Sequence, residues 1–176
     1  RADMNPELNN KICHIESLHD MHLSGLKELL EADEGNAFGL DFLAAAAYKR
    51  SMSLCTGFTT LVRSENYQCS AALVRLQLDT ALRFFAAFIV DKPHDFAIEV
   101  LKGEHIRKMI DRDGNKMTDQ YLKEILGKKY EWVPRVYDAT SGFIHLSDKH
   151  IFSIWEGQND NTFSMRISAV DEHFSD

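Results

Sequence analysis

The feature that most constrains this chain is the stretch Asn66 to Val90, NYQCSAALVRLQLDTALRFFAAFIV. Its periodicity predicts one long helix, about 66–91, that is apolar nearly all the way round. A helix of that kind belongs inside a bundle, not on its surface. Three charges interrupt it, Arg75, Asp79 and Arg83. Spaced at i, i+4 and i+8, they stack on one face with Gln68, Ala72, Ala86 and Val90. Charges in such a setting are costly unless paired. Two readings follow. Either Asp79 bridges Arg75 and Arg83 and the stripe orders the bundle, or a spare donor face of Arg75 or Arg83 enters a cleft. There it would bind an anion such as phosphate or carboxylate.

The flanking sequence predicts further helices around this one. Asn5 and Pro6 form a helix start, a capping side chain followed by proline. Apolar residues then recur at Leu8, Ile12, Ile15, Leu26 and Leu29, with His19 and His22 filling the gap in the seam, to about Ala32. A second helix spans Asp41, as its cap, to Arg63; the short break before Asn66 makes it an antiparallel neighbour of the central helix. Pro93 opens a fourth through Leu101, and Ile106, Met109 and Ile110 suggest another turn or two. Thr118 caps a fifth that ends at Gly127, and a sixth starts near Pro134 and runs into SGFIHLS, which carries His145. The tail differs: HIFSIWE and TFSMRIS alternate apolar and polar around GQNDN, a hairpin pattern over about 149–170. The expectation is an all-α bundle of five to seven helices with a small C-terminal β-hairpin, one domain over 1–176. A chain of 176 residues buries enough surface to need no disulfide or metal.

Motifs exclude more than they assign. The chain has no G-x-S-x-G, no phosphate loop, no G-x-G-x-x-G and no H-E-x-x-H, which disfavours common hydrolase, nucleotide-binding and zinc-protease chemistries. No cofactor is expected. His19 and His22 could hold a metal, but no third ligand has a fixed place beside them. They read as core-edge histidines needing a polar partner, for which Asp79 is one candidate. DRDGNKMTD at 111–119 has the alternating acids of a calcium loop, yet Lys116 replaces the turn glycine and Leu122 the bidentate Glu; a polar turn is expected. Cys13, Cys55 and Cys69 read as reduced thiols. No apolar leader opens the chain and no run reaches about 18 apolar residues, so the expected setting is cytoplasmic, off the membrane. Net charge is −7, and no DNA-binding motif is present. Residues 102–135 are locally basic, nine Lys or Arg against six Asp or Glu, a stretch that reads as a solvated mixed surface or a phosphate contact.

Two segments, SAALVRLQLDTALR at 70–83 and RVYDATSGFIHLSDKHIF at 135–152, together resemble a group of bacterial helical proteins. That group is similar to the HEPN class and to the helical domains of abortive-infection proteins. The resemblance covers roughly residues 40–152. It implies a helical bundle, a homodimer, RNA as partner and a defence or toxin setting. HEPN ribonucleases place an Arg a few residues ahead of a His at a dimer cleft. Here Arg135 and His145 are separated by nine residues, and the closer pair, Arg166 and His173, falls in the tail. His145 is the nearest equivalent of the family's His. Arg75, Asp79 and His145 are accordingly the candidate catalytic residues, and Arg75 and Arg83 the candidate anion clamp. The rival expectation is a non-catalytic module for association with a partner or with itself.

Overall fold

A computed structural model describes residues 5–159 and 162–171. Among them are seven α-helices: α1 Pro6–Glu31, α2 Gly39–Arg63, α3 Tyr67–Phe85, α4 Pro93–Leu101, α5 Asp119–Lys129, α6 Trp132–Ser141 and α7 Asp148–Phe152. A two-stranded antiparallel hairpin follows, β1 Trp155–Asn159 and β2 Thr162–Met165, with Gln158 opposite Phe163. The all-α bundle is as expected.

α1 begins where Asn5 Oδ1 accepts the Glu7 amide at 2.8 Å. It packs chiefly along α2. Ile12 is sealed in that seam, and Arg63 at the far end of α2 locks it. The Arg63 guanidinium donates to both Glu16 oxygens, at 3.0 and 2.9 Å, and to Asn9 Oδ1 at 3.1 Å. The start of α2 corrects one expectation. The helix opens at Gly39, and Asp41 sits in its first turn, reaching back to accept the Phe38 amide at 2.7 Å. The earlier start lets α2 touch α4, because a Cβ on Gly39 would lie 2.8 Å from the His94 carbonyl.

α3 packs on α2, α5 and α6, as a central helix must. The α-helix ends at Phe85, short of the end near residue 91 expected from sequence, and tightens into a 3-10 turn at Ala86–Phe88. Leu82, Ala86 and Ala87 form the core there with Phe96, Met117, Leu122 and Val133. Both ends of α3 are closed by distant residues. At the N-terminus Asn66 Oδ1 accepts the Cys69 amide at 3.2 Å, and Asp171 Oδ2 accepts the Tyr67 and Gln68 amides at 2.8 and 3.1 Å. Past the C-terminus, at the end of the 3-10 turn that prolongs α3, the Arg112 guanidinium donates to the carbonyls of Phe88, Ile89 and Val90, at 2.7, 3.1 and 3.2 Å. An acid at the positive end and a base at the negative end both match the helix dipole.

Residues 106–110 make one 3-10 turn, Ile106–Lys108, not a longer helix. The chain straightens there because Ile110 pairs with Lys116 across the tight turn at 111–115. That turn is the calcium-like stretch, and it is a polar turn built on Asp111. Oδ1 of Asp111 accepts the amides of Asp113 and Asn115, at 2.9 and 2.8 Å, and the Tyr121 hydroxyl donates to Oδ2. Gly127 lies inside α5 and does not end it; a Cβ there would come within 2.6 Å of Pro134, so the glycine permits the α5–α6 contact. Residues 148–152, read from sequence as the start of the hairpin, form α7, entered through Ser147 with Asp148 in its first turn.

Two predictions follow from this closure. Arg112→Ala and Asp171→Ala should each lower stability, Arg112→Ala by about 1–2 kcal/mol. The ends of α3 are about 28 Å apart at 1.5 Å per residue, so the losses should add in the double variant, as measured by urea unfolding. The Tyr121 hydroxyl foremost, opposed by burial and helped by the Asn115 amide, holds the Asp111 carboxyl below the usual carboxylate range. Its stabilisation is therefore full above the unfolded-state value, about 3.9, and fades as pH falls through the lower folded-state value. Asp111→Asn should flatten the acid limb of a stability–pH curve relative to the unaltered protein.

Candidate functional site

The polar stripe of α3 divides into two parts with different fates. Arg75 and Asp79 form an ion pair one turn apart, with side chains only 11% and 20% exposed. The Arg75 guanidinium lies over the Tyr137 ring of α6, 3.4 Å from its centre, and Nε donates to Ser141 Oγ at 3.4 Å. Lys123 of α5 approaches the same ring at 5.1 Å and donates to Asp138 at 2.9 Å. Burial pushes the Tyr137 phenol up, against the opposing Arg75 charge. A guanidinium stacked on an aromatic face and paired with a carboxylate makes a strong joint between helices. Arg75 and Asp79 thus fasten α3 to α6.

Arg83 lies two turns further along and is 55% exposed. Asp79 does not bridge to it. Its ion pair is with Asp119 in the first turn of α5, at 3.5 Å. Arg83 and Asp79 both border a cleft of about 670 Å³ between α2, α3 and the segment after α4. Arg50 enters from α2, and its Nε donates to Thr80 Oγ1 at 2.9 Å. Thr80 in turn donates to the Leu76 carbonyl at 2.9 Å, which fixes the hydroxyl for Arg50. Arg107 and His105 line it from the segment after α4, and Ala46, Ala47 and Phe84 add apolar lining. Three arginines face three acids here, Asp79, Glu104 and Asp119. Asp79 is already neutralised from behind by Arg75. Arg107 makes no ion pair among the described residues. With Arg75 set against Asp79, the cleft carries a small positive excess on a chain of net charge −7. Guanidinium groups from different elements at one concave surface suit phosphate or carboxylate oxygens.

His145 is exposed in the turn after α6. Among the described residues it makes no hydrogen bond or ion pair with Arg75 or Asp79. The structure thus brings together Arg75 with Asp79 and places Arg83 and Asp79 at the cleft, while His145 is bonded to neither Arg75 nor Asp79 among the described residues. His173, the other histidine weighed from sequence, lies outside the described residues. Arg50, His105 and Arg107 were missed. The locally basic stretch 102–135 contained two of them, while nothing in the sequence pattern set Arg50 apart from an exposed helix arginine.

The histidines of α1 serve the α1–α2 seam. His22 Nδ1 donates to the Leu18 carbonyl at 2.6 Å, which leaves Nε2 to accept from Ser51 Oγ at 3.0 Å. Gln77 Nε2 donates to the same Ser51 oxygen at 2.7 Å. Ser51, not Asp79, is the partner of His22. His19 is exposed beside a second cleft, of about 410 Å³, between these helices. No group of three or more His, Cys, Asp or Glu suited to a metal occurs among the described residues.

Asp79→Ala strands Arg75 in a nearly closed site and should cost about 3 kcal/mol. Replacing both members, Arg75→Leu with Asp79→Leu, should restore part of that loss in thermal unfolding. No protein-family model, curated protein or solved structure matches this chain.

Proposed function

We propose that this chain is a helical binding module that holds RNA by its phosphates in the Arg50–Arg83–Arg107 cleft. The reading takes up the resemblance to HEPN-like domains of bacterial defence or toxin systems, in a cytoplasmic setting. The observation that carries it is that three arginines, from α2, α3 and the segment after α4, line one cleft of a chain of net charge −7. Arg75 and Asp79 support it indirectly. Their pairing removes the Asp79 charge from the cleft wall and anchors α3 on α6. His145 is not among the residues that line the cleft, so the reading is of binding, and the Arg75–Asp79–His145 catalytic assignment is the rival that the His145→Ala variant tests.

A second reading rests on a separate surface. Phe38 and Phe42 lie one turn apart at the start of α2, and Ile98 and Leu101 one turn apart on the adjoining α4. All four are 40–55% exposed, at 48%, 55%, 40% and 52%. A paired apolar stripe of this kind marks an association surface, and a second copy of the chain is its simplest occupant.

The test is titration of a short single-stranded RNA, followed by fluorescence anisotropy with mass measurement by light scattering. Binding should weaken steeply between low and physiological salt, by counterion release. Arg83→Ala and Arg107→Ala should each weaken it about tenfold, the size of one lost charge-assisted contact. His145→Ala should leave it unchanged. Absence of binding at low salt would contradict the first reading, RNA cleavage lost in His145→Ala would restore the catalytic one, and a strict monomer would contradict the second.

A further inference from the structure

We infer that the cleft takes a nucleoside phosphomonoester, either a free mononucleotide or the phosphorylated end of an RNA, in preference to the interior of a strand. The inference rests on the phosphate reading of the cleft above and names which phosphate it holds.

Three observations carry it. The first is size. About 670 Å³ falls in the range of small-molecule sites. The cleft is lined from α2, α3, the end of α4, the 104–107 segment and Asp119 of α5, so several parts of the chain contribute side chains to one site of that size. The second is charge. Each phosphodiester beyond the one in the cleft would lie against a chain of net charge −7, with Glu104 and Asp119 already at the rim. A phosphomonoester instead concentrates about −1.5 to −2 charges and three acceptor oxygens in one group. That matches several donors held at one place. Arg50 is oriented through its Nε by Thr80, which leaves its terminal nitrogens for an anion. Arg107 is unpaired among the described residues, and His105 stands two residues from it. The Arg83–Asp119 contact, long at 3.5 Å and with both side chains exposed, can yield to a stronger acceptor. The third is the apolar part of the lining. Phe84 and the small side chains of Ala46 and Ala47 share α3 and α2 with Arg83 and Arg50, and apolar surface is what a base or sugar needs and inorganic phosphate does not. The phosphate belongs on the arginines and the nucleoside against Phe84.

The experiment compares four probes at one low ionic strength: a short RNA with hydroxyls at both ends, the same RNA carrying a terminal phosphate, uridine 5′-monophosphate and inorganic phosphate. The phosphorylated RNA should bind about tenfold or more tightly than its hydroxyl form, the worth of one extra charge-assisted contact. The mononucleotide should compete with it, and inorganic phosphate should compete less well. Arg107→Ala, at an exposed position where the fold has little to lose, should abolish the preference with an unchanged circular dichroism spectrum. Phe84→Leu, which keeps an apolar side chain but removes the ring, should weaken the mononucleotide and leave inorganic phosphate unaffected. Equal affinity for the two RNAs would overturn the inference and leave the RNA reading standing. Binding of the mononucleotide with no binding of either RNA would overturn the RNA reading and sustain the inference. Equal competition by mononucleotide and inorganic phosphate would overturn the role of the apolar lining, and binding of none of the four would overturn both.

Discussion

Everything in this bundle is referred to α3, and α3 is held because each of its polar features is answered by a residue far away in the chain. Its first free amides go to Asp171, and the carbonyls that follow the 3-10 turn after it go to Arg112. Its buried ion pair rests on Tyr137 of α6. A helix that crosses the middle of a domain cannot rely on water to satisfy its ends. Here the solution is electrostatic as well as geometric, since the charge supplied at each end is the one the helix dipole favours. Apolar burial by Leu82, Ala86 and Ala87 supplies the driving force. The long-range polar contacts select one arrangement among the many that burial alone would tolerate.

The cleft is a consequence of this arrangement. With Arg75 turned onto α6, the next cation along the face, Arg83, is left at the edge of α3, where α2 and the segment after α4 come alongside. The single 3-10 turn at Ile106–Lys108 matters for the same reason. The chain straightens into the Asp111 turn instead of continuing as helix, and His105 and Arg107, just before that turn, border the cleft together with Arg50. The loop that resembles a calcium site therefore acts at a distance: Asp111 shapes the turn, Arg112 in that turn caps α3, and residues just before it line the cleft.

Much of this was legible in the chain. The apolar periodicity of 66–90, the Asn5–Pro6 start, Pro93 and Thr118 all mark elements by local rules, and the structure follows them closely. What sequence could not supply was partner choice. Asp79 has an arginine one turn away in each direction, and spacing alone cannot say which it takes; the position of Tyr137 on α6 settles it for Arg75. His22 was likewise given a charged partner where the fold offers a serine. Gly127 read as a helix end because glycine ends helices often, whereas here it makes room for Pro134. Arg50, His105 and Arg107 belong to three-dimensional proximity and carry no local signal beyond a mildly basic stretch.

The central claim is that α3 is the most firmly held element and the fixed wall on which the cleft is built. Native-state amide hydrogen exchange tests it directly, because exchange reports the free energy of the smallest opening that exposes each amide. The account predicts that amides from Leu78 to Ala87 exchange only through global unfolding, while those of α1, which packs chiefly on α2, open locally and sooner. Exchange along α3 as fast as along α1 would contradict it.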